Sequence, residues 1–261
     1  DLTNEAAIRA MVRAVAPRWI VNAAAYTAVD AAESDAPAAW WLNAEVPRIL
    51  AEEATRCGAW LVHYSTDYVF DGTATVPYRE TDPVQPLGVY GASKAAGEAA
   101  VREACAQHLI FRIAWVYGRR GKNFLRTMER LLAGDAPVRV VADQVGVPTW
   151  SRAVAEATAA ILVRVGERVG ERVGEYAPLA GTYHLAGAGF CSWHGFAEAI
   201  ARGLDLPSDR TVTAIPTADY PTPARRPAYS VLDASRAAHT FGVQLPPWEA
   251  QLAHCLGASA A

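Results

Sequence analysis

A doubly wound α/β fold with a parallel sheet and a smaller C-terminal lobe follows from three features of this 261-residue sequence. Short apolar runs alternate with helix-length stretches through the first 118 positions, the rhythm of βαβ units with right-handed crossovers. Polar, hydroxyl-rich segments come directly after those runs, where an open α/β sheet places its ligands. A hydrophobic content of 52% against 20% charged residues is enough to bury a substantial core.

The elements can be justified in order. Residues 3–16 predict a helix with Ile8, Met11, Val12 and Val15 on one face, Thr3 or Asn4 as N-cap and Pro17 as its stop. Residues 19–24 (WIVNAA) read as a strand covered on both faces. Helix follows to about residue 57, then strand at 61–65, a long Thr-, Asp-, Gly- and Pro-rich loop over 66–88, an Ala-rich helix over 89–105 and strand at 108–114. Beyond residue 118 the rhythm loosens: helices are expected near 121–133, 150–165 and 192–203, and short strands near 137–141, 182–186 and 211–216. The prolines between Pro216 and Pro227, with Pro246-Pro247, point to a loop-dominated lobe over the cleft. A tandem repeat, Val165-Gly-Glu-Arg, Val169-Gly-Glu-Arg and Val173-Gly-Glu-Tyr, is too short for a solenoid and reads as an insertion extending a helix end or loop.

Composition narrows the function classes. A net charge of −3 gives no basic field for nucleic acid or anionic lipid, so neither partner is expected. Every apolar stretch is interrupted short of a membrane-spanning length, and the opening residues Asp1–Glu5 do not resemble a signal peptide. Cys57, Cys105, Cys191 and Cys255 stand far apart without a CxxC pair, which predicts reduced thiols, no metal centre and a cytoplasmic location.

Three strand ends carry chemistry. Tyr90 and Lys94 are four apart at a helix start, so both side chains share one face. An ammonium beside a phenol is expected to lower the phenol's pKa and make it an acid for an alkoxide formed by hydride transfer. Only two lysines stand against twenty-two arginines, which makes Lys94 less a matter of composition. Thr66 and Asp67 follow the second strand, where a hydroxyl can bond a substrate carbonyl and a carboxylate a sugar hydroxyl; a simple ST- or Asx-turn explains them as well. Small residues after Asn22 would let a dinucleotide approach the backbone, or simply pack a helix closely.

These segments are similar to the extended short-chain dehydrogenase/reductases, and within them to the dTDP-4-dehydrorhamnose reductase family. The resemblance is carried by VNAAAYTAVDAAES (21–34), VHYSTDYVFDG (62–72), YRETDPVQPLGVYGASKAAGE (78–98), FRIAWVYG (111–118), KNF (122–124), DQVGVPT (143–149) and YPTPARRPAYSVLD (220–233). It implies a Rossmann-like domain over residues 1–120 and a mainly nucleotide-sugar-binding lobe over 121–261. It implies NADPH or NADH as cofactor and dTDP-4-dehydro-L-rhamnose as substrate, and it allows a homodimer. Tyr90 would donate the proton to the C4 oxygen, Lys94 would assist it and hold the nicotinamide ribose, and Thr66 would bond the reacting oxygen. Asp67 and Trp115 match sugar-contacting positions; Asn123, Gln144 and Arg226 are candidates for the diphosphate or base. Ala25, Tyr26 and Thr27 match cofactor positions, and Asp1 and Leu2 would fall near adenine.

The family's Gly-rich phosphate turn has no counterpart: Gly187-Ala-Gly189 comes late and reads as the approach to a helix capped by Ser192. The first residue aligns after the family's second strand, so the sheet is expected to lack its first βαβ segment. Two alternatives share the fold. One is a noncatalytic binding subunit like the regulatory subunit of methionine adenosyltransferase, which would not need Thr66, Tyr90 and Lys94 together. The other is a nucleotide-sugar epimerase or dehydratase; dehydratases usually carry an acidic pair after the threonine, where this chain has Asp67-Tyr68. The expectation for this chain is weak NADPH and NADH binding in a calorimetric titration; ordinary dinucleotide affinity would overturn it.

Overall fold

The computed structural model describes residues 1–171, 179–204 and 211–257. In chain order the first half holds α1 (Glu5–Val15), β1 (Trp19–Asn22), α2 (Val29–Ala32), α3 (Ala36–Trp40), a π-helical turn (Trp41–Glu45), α4 (Val46–Cys57), β2 (Trp60–Thr66), α5 (Val89–Ala104) and β3 (His108–Ile113). Then come β4 (Val116–Tyr117), α6 (Phe124–Leu132), β5 (Val138–Val141), β6 (Val145–Gly146), β7 (Thr149–Trp150) and α7 (Ser151–Glu171). The last part holds β8 (Gly181–His184), β9 (Cys191–Ser192), α8 (Trp193–Gly203), β10 (Val212–Ile215), α9 (Ser235–Phe241) and α10 (Trp248–Leu256).

Four strands form a parallel sheet in the order β1-β2-β3-β8. Side chains alternate across it, and the alternation sorts the core. Leu61 and Ile110 join Val46, Ile49 and Val101 of α4 and α5 on one face. Trp60, Val62, Leu109 and Phe111 meet Val154, Ile161 and Val165 of α7 and Phe241 of α9 on the other. Chain from the second half thus returns to the first sheet. A third apolar cluster joins α6, α8 and α10 with β5 beyond the strand ends. Among the described residues no helix is long and apolar enough to cross a membrane, no cluster of His, Cys, Asp or Glu could hold a metal ion, and all four cysteines are free.

Several expectations need correction. Asn4 caps α1, accepting from the Ala7 N–H at 3.1 Å, but only Ile8 of the expected apolar face is buried. Met11 and Val15 are 65% and 63% exposed, because α1 meets the core through Ile8 and Val12 while Arg9 and Arg13 reach the buried Glu53. The first strand stops at Asn22 and lies at the edge of the sheet, so Val21 is exposed rather than covered on both faces. The Pro216–Pro227 stretch is mostly loop, but the C-terminal lobe also holds two short helices beyond those expected, α9 and α10, of seven and nine residues. Trp248, Gln251, Leu252 and Cys255 of α10 are nonetheless buried at helical spacing. The tandem repeat begins inside α7, with Val165 in the core, and its later part lies outside the described residues.

One ion pair ties α5 to β3. Glu98 accepts from Arg112 Nε at 2.8 Å and Nη2 at 2.7 Å, with Arg102 adding a contact at 3.1 Å. Burial works against the Glu98 charge, but the Arg112 hydrogen bonds prevail and hold the carboxyl below its usual range. Removing one partner leaves a buried charge alone, so Glu98→Gln is expected to cost about 3 kcal/mol in urea unfolding. Arg152→Ala, which breaks an exposed pair with Glu156, should cost less than about 1 kcal/mol. Equal costs for the two would contradict this account.

Candidate active site

The carboxyl ends of β1, β2 and β3 open into one cleft of about 660 Å³. Ala23, Ala25 and Thr27 enter it from the segment after β1, Thr66 and Asp67 from the end of β2, Tyr90 and Lys94 from α5. Trp115, Lys122 and Asn123 close it beyond β3, with Trp193 from α8. Both lysines of the chain therefore line the same cavity.

Thr66 does two things. Its hydroxyl accepts from the Tyr68 N–H at 3.2 Å, which makes the turn that the local sequence allows, and donates to Asp67 Oδ1 at 3.1 Å. It also faces the Tyr90 phenol closely enough to lower its pKa. Tyr90 stands in the first turn of α5 with Tyr68 edge-on against it, ring centroids 5.9 Å apart. Lys94, one turn later, is only 2% exposed, and its Nζ donates to the Tyr64 carbonyl at 2.5 Å.

The expected effect of Lys94 on the phenol is not seen. Burial pushes Tyr90 up to about 12, opposed by the Thr66 hydrogen bond and reinforced by the charge of Asp67. The ammonium is directed to the Tyr64 carbonyl and toward the His63 ring instead. Burial brings Lys94 itself down to about 8, with Glu98 pulling the other way. Tyr90 thus holds its proton throughout the neutral range, which is the form that can donate one.

An apolar wall faces this pair. The Trp115 and Trp193 indoles stack with centroids 3.5 Å apart and planes within 6°, and Phe124 packs on Trp193. Trp115 reaches this position through a left-handed backbone, φ +44°. Asn123 is also a structural cap: its Oδ1 accepts from the Arg126 N–H, and its Nδ2 donates to Gly118 O at 2.9 Å.

Other expected site residues are not brought to the cleft. Asp1 accepts from Thr3 ahead of α1, and the Leu2 carbonyl accepts from Trp41 Nε1 at 2.7 Å. Tyr26 is held away by Asn43, which bonds both its N–H and its carbonyl, at 2.8 and 3.0 Å. Gln144 is buried and donates to Thr217 Oγ1 at 3.0 Å, bracing a loop. Arg226 pairs with Asp30 at 2.8 Å, so it clasps the rim.

Comparison with known proteins decides the family. The family described as RmlD substrate binding domain matches residues 1–260. A dTDP-4-dehydrorhamnose reductase of Burkholderia thailandensis is 46% identical over 98% of this chain and 87% of its own length. The chain belongs to the dTDP-4-dehydrorhamnose reductase family. The Salmonella typhimurium reductase is 43% identical over 95% of this chain and 82% of its own. Among solved structures, the Bacillus anthracis reductase in complex with NADP superposes with TM-score 0.87 at 34% identity, covering 99% of this chain and 87% of that one. The Clostridium acetobutylicum reductase gives 0.88 at 35%, covering 98% and 86%.

Reading the sequence did not single out Lys122 and Trp193, which line the cleft, or Asn43 and His63, which lie behind it. Lys122 carried the signal of lysine scarcity and Trp193 directly follows the Ser192 cap, which accepts from Gly195 at 3.0 Å. Asn43 had no periodic signal because it sits in a π-helical turn, and His63 was hidden within a strand.

Asp67 provides a test. Burial raises its carboxyl to about 7, against hydrogen bonds from Ser230 and Thr66. Between the ordinary carboxylate value and about 7 the native state holds a proton that the unfolded chain has lost. Stability from this group is full below that window, falls as pH rises through it and is flat above. Asp67→Asn should remove that dependence, so urea unfolding at pH 8 should find the variant more stable, by about 2 kcal/mol. At pH 4 the gain should vanish, and a gain that does not change with pH would refute the assignment.

Proposed function

We propose that this protein reduces the C4 ketone of dTDP-4-dehydro-L-rhamnose to dTDP-L-rhamnose with NADPH or NADH. The observation that supports it most is the meeting of Thr66, Tyr90 and Lys94 in one cleft beside an indole wall, in a chain of this family. The named activity of the relatives at 40% identity and above, and NADP in the Bacillus anthracis structure, support the same reading.

The residues present fit the ribose and nicotinamide end of such a cofactor. An ammonium has three donors, and Lys94 gives one to the Tyr64 carbonyl, leaving others for ribose hydroxyls. Ala23, Ala25 and Thr27 are small and line the cleft beside it. Once bound, the reduced nicotinamide supplies the hydride that the C4 carbon accepts.

Every other part falls to the chain's own side chains. Thr66 holds the C4 oxygen through its hydroxyl, which lines the same cleft as Tyr90. Tyr90 gives its phenolic proton to that oxygen as negative charge develops there. Lys94 orients the ribose with the donors that the Tyr64 carbonyl leaves free. The Trp115–Trp193 wall excludes water, and Asp67 accepts from a sugar hydroxyl. Lys122 and Asn123 at the mouth suit the anionic diphosphate. Residues 1–120 form the cofactor side of the cleft and 121–261 mainly the sugar-nucleotide side. The reading places the enzyme in the cytoplasm without nucleic acid or membrane partners and is compatible with a homodimer. A binding subunit would have no use for this trio, and no observation favours that alternative.

Tyr90→Phe keeps the ring and removes the proton. It should lower kcat for dTDP-4-dehydro-L-rhamnose about 10²- to 10⁴-fold, followed by loss of reduced-nicotinamide absorbance, with little change in KM. Undiminished turnover by this variant would end the assignment.

A further inference from the structure

His63 is fully buried in the middle of β2, and its ring is used by nothing in the reaction described above. Strand alternation turns it, like Leu61, toward α5, opposite Asn22 in the register of β1 and β2. The backbone N–H of Ala24 can only donate, and the side-chain atom it meets at 3.2 Å is therefore Asn22 Oδ1. That bond fixes the carboxamide, so its Nδ2 faces His63 Nδ1 at 3.2 Å and donates to it. A ring nitrogen that accepts carries no proton. The proton of the neutral ring is then on Nε2, and Nε2 lies 3.5 Å from Lys94 Nζ.

We infer that His63 is a positioning residue for Lys94, locked by Asn22 as the Nε2–H tautomer so that it offers a donor to the lysine's neutral amine. An ammonium gains nothing from a donor at that distance, whereas a free amine gains a hydrogen bond for its lone pair. The ring therefore favours release of the lysine proton. Burial and the charge of Lys94 both hold His63 well below its usual range, which keeps the ring neutral.

The surrounding groups agree with this assignment. On α5, Tyr90 is a neutral phenol and Glu98 is engaged by Arg112 of β3 and by Arg102. The other contacts are the Tyr64 carbonyl from β2, which accepts from Nζ, and Asn22 from β1, which is uncharged; Asp67 lies beyond the end of β2. Glu98 opposes the fall in lysine proton affinity, and burial outweighs it. The consequence for turnover rests on Lys94 assisting Tyr90, but the tautomer and the titration do not.

The test needs no turnover. With two lysines in the chain, ¹³Cε-lysine labelling gives two signals, and exposed Lys122 serves as an internal reference. His63→Leu removes the donor and should raise the Lys94 midpoint by about one pH unit. His63→Gln, whose amide nitrogen can reach the Nε2 position, should restore most of the shift. Imidazole ¹⁵N correlation spectra of the unaltered chain should show the His63 signal with Nε2 protonated. An Nδ1-protonated ring, or a Lys94 midpoint unmoved in both variants, would overturn the inference even if Tyr90 and Lys94 perform the reduction.

Discussion

Helix α5 lies closer to its neighbours than any side chain larger than hydrogen would permit at two points. A Cβ on Gly91 would stand 2.2 Å from the Tyr68 carbonyl, and one on Gly97 would stand 2.0 Å from the Asn43 carbonyl. Two glycines inside a helix cost roughly 2 kcal/mol relative to alanine. What that approach makes possible is a stripe of three residues spaced by four: Tyr90, Lys94 and Glu98. The first enters the cleft that Thr66 lines, the second reaches the Tyr64 carbonyl, the third the Arg112 guanidinium. Ser93, on the flank of the stripe, accepts from Asn43, which in turn holds the Tyr26 backbone. Proton donor, cation and the anchoring ion pair are thus set by how closely α5 lies against the turns at Tyr68 and Asn43.

Much of the fold was legible because buried parallel strands and Ala-rich helices leave simple patterns. The strands at 60–66 and 108–113 and the helices at 89–104 and 193–203 stand within a residue or two of their expected places. The same logic located Thr66, Asp67, Tyr90 and Lys94, since each follows a strand or opens a helix in the Tyr-xxx-Lys spacing, whereas Trp115 came only from the family resemblance. What could not be read depended on tertiary direction. Arg226 resembles an anion contact until the fold brings Asp30 to it across 196 positions. Gln144 likewise turns to Thr217, 73 residues away. Met11 and Val15 have helical spacing, but spacing does not say how wide a face the neighbour covers.

The wall opposite the reacting pair shows local rules yielding to packing. An indole-bearing residue in the left-handed region carries a strain of about 1–2 kcal/mol. Trp115 accepts it because its own burial and the stack on the partly buried Trp193 hold the indole in place. The left-handed residue sits between β3 and β4, where the chain leaves the sheet, so the strain aims a side chain into the cleft.

The Asp30–Arg226 clasp has a temporal meaning. It joins segments separated by most of the chain, and the Ala224 N–H also depends on it, donating to Asp30 Oδ1 at 3.2 Å. Closing so large a loop is entropically late in folding, after β2 and β3 have already found their register. Opening follows the reverse order: the partly exposed pair gives way before the buried sheet does. The Ala224 amide therefore exchanges its hydrogen with solvent well ahead of those in β2, and the rim over Tyr68 and Tyr90 can part while the floor of the cleft stays intact.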